Sequence, residues 1–256
     1  MRYAITFLLV LVTLLARAQS DTTGQAAKLE EQRAQSGVDP TRVMSRVSYS
    51  PYVLDPSGDA VSFNNRFRYV LGLGSWSMGL RQEFSSVHSG EPGTGFTTGR
   101  GDLRLSVLNA FHVKGRTAFA ASADLDMPTG SAGFTTNAAV LTLGLTYSYT
   151  IKPTLIFACQ PQYTFAPVKD AAVPDISTVT LRSFLAHFRT SGWFYVFEPR
   201  PVFDLANDNF DLVLSPIAGK NLAKGFSVVA LAEFHIDADV RASRGDQYQL
   251  GISKNF

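Results

Sequence analysis

The feature that most constrains this chain is a period-two alternation repeated over long segments. The clearest runs from Leu141 to Ile151, where Leu141, Leu143, Leu145, Tyr147, Tyr149 and Ile151 alternate with Thr142, Gly144, Thr146, Ser148 and Thr150. Successive strand side chains point to opposite faces, so such a segment is a strand with one apolar and one polar face. Twelve segments of this kind follow Val43, at about 43–54, 61–71, 76–85, 100–113, 116–127, 139–151, 154–166, 177–189, 193–205, 210–219, 225–237 and 246–256. They are longer than the usual ~5–6 residues of soluble strands. They match the ~9–11 residues that a tilted strand needs to cross a membrane. Aromatic pairs such as Tyr147 with Tyr149, Tyr163 with Phe165 and Trp193 with Tyr195 lie near the ends of the apolar faces, as interfacial girdles do.

The connections alternate in length as well. Those at 72–75, 114–115, 152–153, 190–192 and 220–224 are short, and those at 86–99, 128–138, 167–176 and 238–245 are long. An up-and-down barrel with both termini in the periplasm has this alternation. The connection at 206–209 departs from it by being short. The fold class expected is all-β: a transmembrane antiparallel β-barrel of 12 strands, occupying residues 43–256. A soluble β-sandwich is the competing architecture. Pro51, Pro161, Pro199, Pro201 and Pro216 fall inside expected strands, where each removes a ladder donor, so bulges or local breaks are expected there.

Both ends fit this reading. Arg2, the apolar run Ile5 to Leu15 and the small-x-small site Ala16-Arg17-Ala18 read as a secretory signal peptide over 1–18. Residues 19–42 are polar and read as a periplasmic lead-in, either unstructured or containing a short helix over 25–35, with a plug as one role for it. At the other end Tyr248, Leu250, Ile252 and Phe256 share one parity and the segment closes on an aromatic residue. This is similar to the C-terminal strand signal of outer-membrane barrels. It implies the barrel assembly machinery and outer-membrane lipids as partners, in the outer membrane of a Gram-negative cell.

Composition excludes other classes. The 256 residues carry a net charge of +2 and one cysteine. That rules out an internal disulfide framework and a CxxC zinc site, and it gives no basic face for nucleic acid. Charged residues are 17% of the chain, below the ~25% of soluble domains. In a membrane barrel these charges belong inside, because a charge on the lipid face at mid-membrane costs about 2–4 kcal/mol. The alternation assigns inward Arg66, Arg68, Arg81, Glu83, Asp102, Arg104, Asp124, Asp126, Glu198, Arg200, Asp204, Asp211, Glu233 and Asp237, with His112, His235, Gln160 and Gln162. These groups either pair across strands and fill the lumen or line a water-filled path. With nine carboxylates against five arginines in that set, a mild cation preference is expected. The strand at 177–189 is ambiguous, since Phe184 and Phe188 share parity with Arg182.

A lipid hydrolase needs Ser and His within reach on one face. His88, His112, His187 and His235 offer no such pair on the lipid face, so no catalytic residue, metal or cofactor is assigned. Asp124, Asp126 and Glu233 are nonspecific as metal ligands, and Cys159 falls on the lipid face as a small apolar residue.

Three stretches carry a family resemblance. Gly99-Arg-Gly-Asp-Leu-Arg-Leu105 resembles a G-x-G-D-L strand entry. Ala123-Asp-Leu-Asp-Met-Pro-Thr-Gly130 resembles an L-x-L-P-T-G exit into an outer loop, with Met127 where Leu is usual. Leu143-Gly-Leu-Thr-Tyr-Ser-Tyr149 resembles the strand that follows. Over residues 99–165 the chain resembles the outer-membrane transporter-like barrels of the MetA-pathway phenol-degradation type. The resemblance implies a channel or transporter for small solutes, hydrophobic or aromatic compounds among them. A non-conducting structural or adhesion barrel is the other non-enzymatic alternative.

Overall fold

The structure, a computed structural model, describes residues 24–55, 60–91, 93–238 and 245–256. The segment expected to be a signal peptide lies outside the described residues.

A helix, α1 (Gly24–Ser36), precedes the strands. The strands are β1 (Arg46–Asp55), β2 (Val61–Leu73), β3 (Trp76–His88), β4 (Thr97–Arg100), β5 (Leu103–Lys114), β6 (Thr117–Met127), β7 (Ala138–Lys152), β8 (Leu155–Lys169), β9 (Ser177–Phe188), β10 (Trp193–Asp204), β11 (Asn209–Asn221), β12 (Phe226–Ala238) and β13 (Asp246–Asn255). β4 and β5 both pair with β3 and make one stave interrupted at Gly101 and Asp102. The barrel therefore has twelve staves, each antiparallel to its neighbours, and closes where β1 pairs with both β13 and β2. Closure leaves no edge, the condition for a sheet to sit in lipid.

One end carries short turns. The β5–β6 turn is Gly115 and Arg116, and Gly115 adopts φ +59°, which a two-residue hairpin turn requires and glycine supplies without strain. The other end carries the longer loops. β3 runs to His88 and β8 to Lys169, so the loops that follow begin later than their sequence limits of 86 and 167 suggested.

The interior prolines are accommodated as local breaks in pairing with the register kept. β1 pairs with β13 through Tyr49↔Ile252 and resumes at Tyr52↔Gln249, skipping Pro51. β9 and β10 are unpaired between Phe197↔Leu185 and Val202↔Thr180, the stretch that holds Pro199 and Pro201. β7–β8 skips Pro161 and β11–β12 skips Pro216 in the same way. Each proline pairs normally with its other neighbour, so only the seam its missing N–H faces is interrupted. The register shifts occur elsewhere, between Asn109 and His112 and between Leu212 and Val213 among other sites.

Large apolar side chains face out. Leu145 is 61% exposed and Leu250 65% exposed, while inward neighbours such as Thr146 and Ser148 are buried. Trp193 and Tyr195 stack in the outer wall at the short-turn end. The buried apolar cluster is small and lies inside the barrel near the same end. Among the described residues no helix is long and apolar enough to cross a membrane.

The exposed belt gives a stability prediction. Leu145→Arg places a charge on the lipid face and should lower unfolding stability in lipid vesicles by about 2–4 kcal/mol. Thr142→Arg, on the inward face, should cost much less. Denaturant titration of both variants, followed by tryptophan fluorescence, checks the assignment of faces.

Candidate functional site

The inward side chains form two polar networks and one apolar seat. In the first network Arg66 Nε donates to Glu83 Oε1 at 2.6 Å and Tyr52 Oη donates to Glu83 Oε2 at 2.7 Å. Arg81 lies 3.4 Å from Glu83 and 3.5 Å from Asp126. Arg104 holds Asp126 with two N–H groups, a bidentate pairing that fixes both side chains. In the second network Arg182 donates to both oxygens of Glu198, at 2.7 and 3.1 Å. Arg200 bridges Glu198 and Glu233, each at 3.0 Å. His235 Nδ1 lies 2.8 Å from an oxygen of Asp211.

The register sets three arginines in a row. Arg68 on β2 stands opposite Arg81 on β3, and Arg81 stands opposite Arg104 on β5. Like charges directly opposite one another destabilise a sheet. Asp126 closes the row, opposite Arg104. The three arginines line a cavity of about 480 Å³ together with Arg46, Asp124, Gln160 and Gln162.

α1 and the turn after it enter the barrel from the short-turn end. Leu29 is buried against inward-facing Ile156, Ala158, Phe184, Phe188, Phe194 and Val196. Full burial of one leucine contributes about 2 kcal/mol. Phe194 lies across Gly219, where a Cβ would approach its ring to 2.2 Å, so glycine there makes room for the seat. Arg33 is buried, pairs with Asp39 at 2.5 Å and donates to Thr150 and Ser148 on β7. Gln35 donates to the carbonyls of Leu222 and Phe226, and Asn221 donates to Gln32. The helix is thus seated against the β7–β12 side, and Arg46 of β1 and Asn255 of β13 donate to the carbonyls at its end. Residues 36–44 border the cavity, which the β1–β6 side lines with arginines.

This seat resolves the ambiguous strand. β9 points Arg182, Phe184 and Phe188 into the lumen together, because the lumen is polar at mid-height and apolar where Leu29 docks. Parity alone could not separate the two, since an inward apolar face has no partner visible in a single strand.

Several sequence-assigned residues take other places. His112, expected inward, faces out: the bulge between Asn109 and His112 shifts the pairing by one residue, and a one-residue shift exchanges the faces. It packs edge-on against outward Phe119, with ring centroids 5.7 Å apart. Asp102 accepts bonds from the Gly130 and Thr136 backbone N–H groups and the Thr136 hydroxyl, so it pins the loop after β6. Asp204 accepts from the Ala206 and Asn207 N–H groups and closes the short turn there. The side chain of Asp237 lies outside the described residues. Glu83, Asp126, Glu198 and Glu233 are all bound by arginines, so the excess of carboxylates counted in the sequence does not produce an acidic lining. The charged groups lining the cavity are mainly arginines, with Asp124 among them. Asp126 and Glu233 belong to different networks, so with Asp124 they make no shared metal cluster among the described residues. Tyr248, Leu250 and Ile252 face outward from β13, and Phe256 is exposed beyond it. Arg46, Tyr52, Arg182 and Gln249 are lumen residues absent from the sequence-based set. The inward parity of Arg46 with Ser48 and Ser50 was the available signal for the first.

The barrel is similar to solved outer-membrane channels. An outer membrane channel from Pseudomonas putida F1 superposes with a TM-score of 0.67 at 11% identity, over 84% of this chain and 96% of that one. The NanC porin gives 0.61 at 10% identity, over 83% and 100%. The KdgM porin gives 0.60 at 9% identity, over 82% and 99%. It has also been solved in complex with disordered oligogalacturonate, with a TM-score of 0.58 and 11% identity over 82% and 99% of the two chains. No protein-family model matches the sequence, and no curated protein is similar to it. At these identities the likeness is one of fold: the chain forms a closed antiparallel barrel like those of these outer-membrane channels.

The docking of α1 has a direct readout. Leu29→Asp should release the helix and expose Arg33 to trypsin. Cleavage after Arg33 should be slow in the native protein, where that side chain is 3% exposed, and at least about tenfold faster in the variant. Equal cleavage rates would show that Leu29 does not anchor the helix.

Proposed function

We propose that this chain is an outer-membrane channel for small anionic solutes, with no catalytic role. The observation that carries this reading is the row Arg68, Arg81 and Arg104 on neighbouring strands, facing a cavity of about 480 Å³ in the lumen. A like-charged row lowers the stability of the sheet. It also creates a positive potential inside a low-dielectric wall, which raises the local concentration of anions. Carboxylates neutralise Arg104 and partly neutralise Arg81, and Arg68, which Asp124 attracts without forming an ion pair, is the least compensated of the row.

The oligogalacturonate on the KdgM porin is a polyanion in a barrel of the same fold, which supports this solute class without identifying the solute here. The phenol-degradation resemblance points instead to aromatic compounds. Guanidinium planes stack on aromatic rings as well as binding carboxylates, so an aromatic carboxylate satisfies both lines of support. With the short turns in the periplasm, α1 stands at the periplasmic mouth and narrows the path to the side lined by β1–β6. The non-enzymatic part rests on the histidines. His112 packs on Phe119 and His235 is bound through Nδ1 to Asp211, and among the described residues neither is hydrogen-bonded to a serine.

Planar-bilayer recordings under a potassium chloride gradient test the proposal. The reversal potential should have the sign of chloride preference. Arg68→Gln with Arg81→Gln should move it toward potassium. A cation-selective or silent native barrel would overturn the reading, and silence would favour a structural role.

A further inference from the structure

Arg68 differs from the other mid-lumen arginines. Arg66, Arg81, Arg182 and Arg200 each have a carboxylate oxygen within 3.4 Å, and Arg104 is held by Asp126. Arg68 makes no hydrogen bond or close ion pair among the described residues; Asp124, on β6 and lining the same cavity, attracts it only at longer range. It is exposed although its strand parity points it into the barrel, so its guanidinium is open to the cavity.

Two more arginines border it. Arg81 stands directly opposite on β3. Arg46 lies diagonally across on β1, where Arg46 opposes Val70 and Ser48 opposes Arg68. Arg46 also lacks a carboxylate partner among the described residues. Its Nε donates to Asn255, and its Nη2 donates to the Ala34 and Gln35 carbonyls of the lumen helix. Gly79 takes the next inward place along β3 from Arg81 and makes room for the Ser106 side chain, which a Cβ there would approach to 3.2 Å. Ser48 adds a hydroxyl on the same wall. Arg46 and Arg68 repel one another, Arg81 beside them is only partly neutralised by Glu83 and Asp126, and an anion with several acceptor oxygens relieves the repulsion that remains. Arginine forks match the geometry of carboxylate and phosphate oxygens.

We propose that Arg46, Arg68 and Arg81 form a discrete seat for an oxyanion, the carboxylate or phosphate group of a solute in the lumen. The inference rests on the anion-channel reading and locates within that path the point where a solute pauses. Since Arg46 also ties α1 to the wall, the seat lies at the boundary between helix and lumen, and an occupant there contacts the helix anchor.

Isothermal titration of the full-length barrel in non-ionic detergent, at low salt and neutral pH, tests the seat independently of conduction. Inorganic phosphate and galacturonate are titrated separately. Saturable binding of either is expected, weakened about tenfold or more by Arg68→Gln, since hydrogen bonds to a charged group are lost. Arg68→Lys should recover part of the affinity. Arg100→Gln, at the exposed rim, should leave it unchanged, and retained heat-modifiable migration in gels establishes that each variant is folded. Arg68-dependent binding of phosphate alone assigns the seat to phosphate groups. Binding of galacturonate alone assigns it to carboxylates, and binding of both assigns the shared chemistry. No saturable binding, or equal affinity in Arg68→Gln, overturns the seat. An anion-selective barrel without saturable binding would leave the channel reading standing and remove the seat. Arg68-dependent binding in a barrel that does not conduct anions would do the reverse.

Discussion

Backbone hydrogen bonding in hydrocarbon governs the whole molecule. Lipid offers no partner for an N–H or C=O group, so every stave must pair on both sides and the sheet must close. The pairing of β1 with both β13 and β2 meets that demand. Closure then divides the side chains into two populations by parity alone. One population faces acyl chains and must be apolar. The other faces an interior too narrow to be bulk water and too wet to be a hydrocarbon core.

The interior resolves that tension unevenly along its length. Near the short turns it behaves like the core of a soluble protein, with Leu29 of α1 filling a seat of phenylalanines and small aliphatic residues. At mid-height it holds arginines and carboxylates in nearly balanced pairs. Glu198, 2% exposed, is shared by Arg182 and Arg200, so its burial is compensated from two sides. The balance is thinnest beside Arg68, which faces Arg81 across the strand pair and has Asp124 only at longer range, and that thin compensation is the ground for the proposed anion seat.

Much of this was legible in the sequence. Strands 61–73 and 193–204 begin where the alternation begins, and the loop-length alternation foretold which ends carry short turns. The inward placement of Arg66, Arg68, Arg81 and Arg104 follows from parity as well. Other features were hidden for definite reasons. His112 left its expected face because a bulge adds a residue to one strand only, and a bulge has no reliable signature in a single sequence. Asp102 and Asp204 have the parity of lumen residues, but they sit at stave ends where loop N–H groups compete for them. Phe184 and Phe188 made β9 unreadable because their partner is a helix some 150 residues earlier in the chain.

By itself the sequence determined a closed twelve-stave barrel with its apolar face outward, because alternation is a local property and each strand displays it alone. Only the tertiary structure decided what the lumen presents. Whether an inward carboxylate lines a path, neutralises an arginine or ties down a loop depends on cross-strand register and on α1 entering from outside the sheet. Those relations join residues far apart in the chain. A count of nine carboxylates and five arginines therefore suggested an acidic lining, and the paired geometry instead left a cavity whose charged lining is mainly arginine.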